Sequence, residues 1–166
     1  MPRRFEHSAT YDCTPATLHA ALTDPAYWDA RVAAVGGAGA RLDALAATEG
    51  GMEVTLTQVV PAENLPSIVG RIKPGDLVIV RTEIWGALDG RTASCEVTAV
   101  VSGTPATVCG TSDLTGDDTS ATVRTTGEAK VSIPLVGGKI EQAVADNVVR
   151  LLVAEHRFTE RWLVGT

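Results

Sequence analysis

Residues 120–163 read SATVRTTGEAKVSIPLVGGKIEQAVADNVVRLLVAEHRFTERWL and contain the change of hydrophobic period that decides the fold. From Ser120 to Ile133, small or apolar residues alternate with polar ones, which is the period of a half-buried β-strand. From Lys139 to Leu163 there is no glycine or proline, and apolar side chains recur at helical spacing. A long strand that leads into a long amphipathic helix predicts a helix packed on a sheet.

The chain before this pair alternates between strand patterns and turn signals. Strands are predicted at 5–11, 42–48, 52–60, 77–85, 91–101 and 106–114, and Asp89-Gly90 is a typical hairpin turn. Thr14-Pro15 and Asp24-Pro25 each combine a helix cap with a proline suited to the first turn, which predicts two short helices after the first strand. The fold class is therefore α+β, a curved antiparallel sheet wrapped around a long C-terminal helix.

The connection at 61–76 is too long for a hairpin turn. Within it, Leu65, Ile68 and Ile72 have the spacing of one or two helical turns. A short apolar helix in a long connection either covers the mouth of a cavity or plugs the edge of a sheet, and both interpretations stay open here.

Length, charge and cysteine content exclude several classes of protein. The 166 residues predict one domain, 1–166, and the net charge of −6 argues against nucleic-acid binding. No apolar run has the length of a membrane span, and the N-terminus lacks the apolar core of a signal peptide, which favours the cytoplasm. The three cysteines form no Cys-x-x-Cys pair, so we expect buried free thiols. A monomer or a homodimer is expected.

Three stretches of the sequence carry a resemblance to a known superfamily. They are Leu22–Trp28 (LTDPAYW), Glu83–Trp85 (EIW) and Lys130–Glu141 (KVSIPLVGGKIE). Together with the order of elements they resemble the START-like or SRPBCC superfamily, which includes polyketide cyclases and lipid-transfer domains, and a bacterial subfamily of unknown function within it. The resemblance implies a helix-grip fold with a deep cavity between helix and sheet for a lipid, a polyketide or another hydrophobic molecule.

Residues on the inner faces of these elements are expected to bind such a ligand. The expected lining is Leu56, Trp85, Val97, Val123, Thr125, Gly127, Val144, Asn147, Val148 and Leu151. The expected cavity mouth is Leu65, Ile68, Ile72 and Trp28. Asn147 is the one polar residue singled out on the apolar helix face, where it is either an internally bonded amide or a polar anchor for the ligand.

Residues that could carry out chemistry are few. The sequence contains no catalytic motif of known mechanism, and neither a metal site nor a cofactor is predicted. His7 shares a strand face with Phe5 and Tyr11 and could act as a general base, although a structural role is the more common one. Arg81 and Glu83 share a strand face with Trp85, and if that face points inwards, a buried charge pair could orient the polar end of a ligand. We favour the outer surface of the sheet for the charges, with Trp85 at a cavity rim or sheet edge, because the residues of the other face, Val78, Val80, Thr82 and Ile84, are more typical of a core.

Three functions are compatible with these features of the sequence. The favoured one is a non-enzymatic carrier or sensor of a small hydrophobic molecule, because no catalytic motif is present and the long strand carries small residues. The second is a cyclase or dehydratase that acts on a polyketide-like substrate, with His7 or an inward carboxylate as acid or base. The third is an interaction module whose cavity has collapsed.

Overall fold

The computed structural model describes residues 2–165 and contains a seven-stranded antiparallel sheet with one long helix against it. In chain order, the strands and helices are β1 (Arg3–Tyr11), α1 (Pro15–Leu22), α2 (Pro25–Val35), β2 (Arg41–Ala47), β3 (Met52–Val60), α3 (Ser67–Ile72), β4 (Leu77–Trp85), β5 (Ala93–Val101), β6 (Ala106–Gly116), β7 (Ala121–Val131) and α4 (Gly137–Val164). A short 3-10 helix, Ala62–Asn64, precedes α3. The predicted helix-grip architecture is confirmed.

The sheet order is β1-β7-β6-β5-β4-β3-β2, so the first two strands of the chain lie at opposite edges. Strands β2 to β7 follow one another in space as they do in sequence, whereas β1 pairs with β7. Helices α1 and α2 connect these two edges. Each begins directly after its predicted cap, Thr14 for α1 and Asp24 for α2. The side chain of Thr14 accepts a hydrogen bond from Thr17 N, and Asp24 Oδ1 accepts one from Ala26 N at 2.9 Å.

Helix α4 lies along β1 and β7 and reaches α2. Its C-terminal part packs into the main core, which contains Leu18, Tyr27 and Phe158. Its N-terminal part closes a second apolar cluster, in which Ile140 packs with Val131 of β7. No helix between residues 2 and 165 combines the length and apolar character needed to cross a membrane.

Two neighbouring glycines leave part of the inner face of the sheet, under the middle of α4, without side chains. Gly127 of β7 stands opposite Gly110 of β6 on one side and Phe5 of β1 on the other. A Cβ atom on Gly127 would lie 2.6 Å from the Phe5 ring and 2.6 Å from the Cys109 carbonyl oxygen. Glycine is therefore required here by close contact with backbone and ring, and the Phe5 ring occupies part of the space above it.

Two polar side chains are buried against backbone partners, and one cysteine is exposed. His19 is buried, and its Nε2 is 2.9 Å from Gly86 O. Glu141 of α4 is buried and accepts a hydrogen bond from Val131 N at 2.9 Å. Cys109, expected to be buried, is exposed, because β6 turns that alternate position outwards. A backbone partner at each buried site explains what polarity alone could not predict.

Candidate functional site

Strand register brings five side chains into one row on the inner face of the sheet. His7, Thr125, Ser112, Cys95 and Trp85 are successive cross-strand partners in β1, β7, β6, β5 and β4. Within the row, the hydroxyl oxygens of Ser112 and Thr125 are 2.8 Å apart. Because inner-face neighbours on a strand are two residues apart, the next row contains Gly127 and Gly110. That row also contains Phe5, Val97 and Glu83, so the sheet presents a polar row beside a row that lacks side chains only at its two central glycines.

Four charged residues form a buried charge cluster beside this row: Arg31 of α2, Arg81 and Glu83 of β4, and Glu155 of α4. Arg31 Nη2 is 2.5 Å from Glu155 Oε2 and 3.3 Å from Glu83 Oε2. Arg81 Nη1 is 2.9 Å from Glu155 Oε2, and its Nη2 is 3.3 Å from Glu83 Oε2. Two cations and two anions make the cluster formally neutral.

Mutual pairing keeps the cluster charged. Burial by itself would raise the pKa of Glu155, but the positive charges of Arg31 and Arg81 outweigh it, so the pKa lies below its usual value. Burial would likewise lower the pKa of both arginines, and the charges of Glu155 and Glu83 reverse that effect. Glu155, Arg31 and Arg81 therefore stay ionised together at neutral pH.

The position of β4 corrects the sequence-based prediction for its charges. Arg81 and Glu83 are only 6% and 4% exposed, and Trp85 is 3% exposed, so this face of β4 points inwards. The outward prediction was wrong because it relied on the apolar residues of the other face, whereas partners on α2 and α4 allow the charges to be buried. Trp85 is also not at an edge, since β4 lies between β3 and β5.

Aromatic residues of α2 enclose the cluster on one side. The Arg31 guanidinium lies 4.6 Å from the centre of the Trp28 ring, within cation–π distance. Trp28 is fully buried and its Nε1 donates to Leu22 O at 2.9 Å, so its predicted place at a cavity mouth was wrong. Tyr27 Oη and Thr159 Oγ1 are 2.7 Å apart and tie α2 to α4.

A cavity of about 60 Å³, here called the polar cavity, adjoins the row and the cluster. Its lining includes His7, Tyr11, Arg31, Arg81, Glu83, Trp85, Ser112, Val123, Thr125, Leu152, Glu155, His156 and Thr159. Within residues 2–165, four buried side-chain nitrogens have no hydrogen-bond partner: His7 Nε2, Arg81 Nε, Trp85 Nε1 and His156 Nε2. All four belong to residues that line this one cavity. Unpartnered buried nitrogens are uncommon, and their concentration here marks a site.

The two histidines of the polar cavity lie close together. The rings of His7 and His156 have centroids 5.9 Å apart, and the Tyr11 ring lies 4.9 Å from that of His156. Burial, and then the proximity of His156, lower the pKa of His7, which keeps its ring neutral at pH 7. Glu160 Oε1 lies 3.4 Å from His156 Nε2, without hydrogen-bond geometry.

A second cavity of about 40 Å³, here called the apolar cavity, lies under α3 and the first turns of α4. Its lining includes Leu65, Val69, Ile72, Leu77, Val101, Val131, Ile133, Ile140, Val144 and Asn147. Four residues predicted for the ligand site or its mouth therefore meet here: Leu65, Ile72, Val144 and Asn147. Ile68 packs beside them in the same cluster.

The remaining predicted ligand residues are divided between the cavities and the core. Trp85, Val123 and Thr125 line the polar cavity. Val97, Gly127, Val148 and Leu151 are half-buried and are not among the residues that line either cavity. Leu56 lies in the main core and is not among the residues that line either cavity.

The outer face of β1, β5, β6 and β7 has a wide, open depression of about 820 Å³. Most of the side chains that line it occupy the exposed, alternate positions of these strands. Four of its charged residues form the Arg4–Glu128 and Arg124–Glu6 ion pairs. This depression therefore offers less to a ligand than the interior does.

Sequence reasoning missed Arg31, Glu155, Ser112 and His156. Arg31 and Glu155 interrupt otherwise apolar helix faces, and this was the one signal available for them. Ser112 could have been found from its register opposite Thr125. Among residues 2–165, no three His, Cys, Asp or Glu side chains are placed to hold a metal ion.

Comparison with known sequences places the chain among proteins without an assigned role. A sequence model described as "Protein of unknown function (DUF2505)" matches residues 6–163. Uncharacterized proteins of Mycobacterium tuberculosis and Mycobacterium bovis are each 31% identical over 172 residues, which covers 99% of this chain and 99% of theirs.

Solved structures share the fold at low sequence identity. The Zhui aromatase/cyclase from Streptomyces sp. R1128 is 13% identical, with a TM-score of 0.58 over 98% of this chain and 94% of that one. A STAR-related lipid transfer protein from Xanthomonas axonopodis is 16% identical, with a TM-score of 0.59 over 97% and 85%. Norcoclaurine synthase from Thalictrum flavum is 12% identical, with a TM-score of 0.58 over 100% and 88%. The resemblance to START-like proteins is confirmed for the fold.

Proposed function

The chain belongs to the DUF2505 family, and we propose that it binds a small, largely apolar molecule between α4 and the inner face of the sheet. The observation that carries this proposal is the incomplete filling of that space. Gly110 and Gly127 contribute no side chains to the inner face, where only the Phe5 ring lies against Gly127, and Val97, Val148 and Leu151 are only half-buried. Apolar side chains that stay half-buried support the proposal, because an apolar ligand could bury them.

Helix α3 is the element that would admit such a molecule. The two cavities of about 40 and 60 Å³ are smaller than the roughly 300–1,000 Å³ typical of ligand pockets, so binding requires the interior to open. Helix α3 has six residues and no side-chain cap, and Val69 is its one fully buried residue. Displacement of α3 would therefore open the apolar cavity at a small cost in buried surface.

The relatives in structure support this proposal by analogy. Their names describe an aromatase/cyclase, a lipid transfer protein and a synthase, three proteins that handle small molecules. Since one fold can carry many functions, the class of ligand has to come from the site itself.

A fluorescent fatty acid tests the proposal directly. Dansyl-undecanoic acid is titrated into the protein, and its emission is followed together with displacement by dodecanoate. Binding with a blue shift, displaced by dodecanoate, is the expected result. Native mass spectrometry and solvent extraction of the purified protein then identify any molecule that it already carries.

Two phenylalanine variants on α4 supply the matched comparison. Val144→Phe fills the apolar cavity and should weaken probe binding at least tenfold, whereas Val164→Phe lies on the same helix at a residue that is 88% exposed and should bind as the unaltered protein does. Circular dichroism confirms that both variants are folded. Failure of the unaltered protein to bind the probe, with no molecule carried, would overturn the proposal and favour the interaction module with a collapsed cavity.

A second function is favoured by one specific observation, the pair of histidines in the polar cavity. We propose as the alternative an acid–base enzyme of the cyclase or dehydratase type, in which His7, neutral at pH 7, accepts a proton from a polyketide-like substrate. Loss of water from a linear poly-β-ketone, followed by mass spectrometry, tests it. A His7→Gln variant that keeps the same rate would reject His7 as the base.

A further inference from the structure

We propose that the polar cavity binds an acceptor oxygen, the carbonyl or carboxylate end of the ligand whose apolar body lies under α4. This inference rests on the proposed function and adds the chemical class of the ligand. Each of the four unpartnered nitrogens represents a hydrogen bond that the protein does not make internally.

Two of the four nitrogens can only donate. The indole Nε1 of Trp85 and the guanidinium Nε of Arg81 each carry one hydrogen and accept nothing. Both residues are more than nine-tenths buried and line the polar cavity. The terminal nitrogens of Arg81 are already bonded to Glu155 and Glu83, so its Nε is the donor left for another group.

The two histidines can supply the remaining contacts. Each neutral imidazole donates from one nitrogen and accepts at the other, according to its tautomer. Ser112 and Thr125 in the same cavity are bonded to each other. The carboxylates of Glu83 and Glu155 also line the cavity but are paired with Arg31 and Arg81. Donors therefore predominate among the groups without a partner, and a ligand group that brings lone pairs fits them better than one that brings hydrogens.

The size and charge of the polar cavity limit the chemical class of the ligand further. A volume of about 60 Å³ corresponds to about two water molecules, at about 30 Å³ each, or to the terminal group of a larger molecule. The adjoining cluster is formally neutral, so it does not reject an uncharged carbonyl, and the donors of Arg81 and Trp85 also suit a carboxylate.

The two cavities lie along one direction of the sheet. Thr125 of β7 lines the polar cavity and Val131 of the same strand lines the apolar cavity. Six residues of strand separate them, which is about 20 Å at the usual rise of a β-strand. Gly127 lies between them and has no side chain of its own, with the Phe5 ring beside it. An elongated molecule therefore lies with its apolar end under α3 and its oxygen beside Trp85.

The indole resonances provide a direct readout. In a ¹⁵N–¹H spectrum, the Nε1–H of Trp85 reports on this cavity, while that of Trp28 is the internal control because it already donates to Leu22 O at 2.9 Å. Three probes of twelve carbons are compared: dodecanoate, decyl methyl ketone and dodecylamine. The first two offer an acceptor oxygen, and the protonated amine offers none.

The inference expects the acid or the ketone to shift the Trp85 resonance downfield, with Trp28 unchanged and dodecylamine without effect on Trp85. A shift by the ketone identifies a carbonyl, and a shift by dodecanoate alone identifies a carboxylate. Trp85→Phe should weaken binding of the active probe roughly tenfold, with Trp28→Phe as the matched variant. Trp85→Phe is also compared for dodecylamine, whose affinity should not change.

Two outcomes separate this inference from the proposed function. If all three probes bind equally and Trp85 does not shift, the apolar site stands and the inference is overturned. If none of the twelve-carbon probes binds, the proposed function fails, and the polar cavity is then tested with acetate and acetone, which carry the same oxygen groups without the apolar chain. A shift of the Trp85 resonance by either compound supports an acceptor site, and the absence of a shift overturns the inference.

Discussion

Glu155 of α4 and Arg31 of α2 are 124 positions apart in the chain, and their Oε2 and Nη2 atoms are 2.5 Å apart. The same carboxylate also accepts a hydrogen bond from Arg81 Nη1 of β4, at 2.9 Å. Glu155 therefore joins two helices and the sheet at one buried point. Such pairs add little net stability against an apolar alternative, but they penalise any arrangement that separates them. We infer that the cluster fixes the position of α4 over the sheet.

Replacement of Glu155 should therefore be strongly destabilising. Glu155→Gln leaves two buried guanidinium groups with one carboxylate between them, and the free energy of unfolding should fall by roughly 3–5 kcal/mol. Urea denaturation measures the loss. Glu160→Gln is the control on the same helix, since the Glu160 side chain is 52% exposed, and should change stability by less than about 0.5 kcal/mol. Equal losses in the two variants would contradict a role for the cluster.

Acid should weaken the fold through the same carboxylate. The pKa of Glu155 in the folded protein lies below 4.5, its usual value. Its contribution to stability is thus fully present above pH 4.5 and is lost as the pH falls through the folded value. Thermal unfolding between pH 6 and pH 3 should show this decline, and Glu155→Gln should show a smaller one. An identical decline in both proteins would assign the acid sensitivity to other carboxylates.

His7 should titrate below its usual value of 6.5. Burial is the larger cause and the neighbouring His156 the smaller one, while Glu155 acts in the opposite direction. In His156→Gln the pKa of His7 should rise yet stay below 6.5, since burial remains. NMR titration of the imidazole Cε1–H resonance measures both values. Because the folded form prefers a neutral ring, this residue stabilises the protein above pH 6.5 and less as the pH falls.

Two glycines should respond in opposite directions to the same substitution. Gly127→Ala places a Cβ atom 2.6 Å from the Cys109 carbonyl oxygen and should cost about 1–3 kcal/mol. Gly138→Ala, in the first turn of α4 with nothing within 4 Å of its Cβ, should stabilise by roughly 0.5–1 kcal/mol. Chemical denaturation of both variants tests the pair. A stable Gly127→Ala protein would show that the sheet relaxes freely at this point.

The sequence predicted the elements well because their signals are local. The period of two in 120–133 and the caps at Thr14 and Asp24 depend on neighbours in the chain, and the structure confirms them. The face of β4 was predicted wrongly because both of its faces carry apolar residues. The inward face of β4 depends on its ion pairs with Arg31 and Glu155. These residues lie on helices far away in the sequence, so no local pattern could predict the pairing.

The pairing of β1 with β7 also has a consequence during synthesis on the ribosome. Residues 3–11 are made well before their partner strand, which follows only after residue 120. Until Glu155 has followed, Arg31, Arg81 and Glu83 carry a net positive charge that the interior cannot accommodate. The nascent chain therefore holds an unpaired strand and an incomplete core through most of its translation, and the native state becomes accessible late, when α4 arrives.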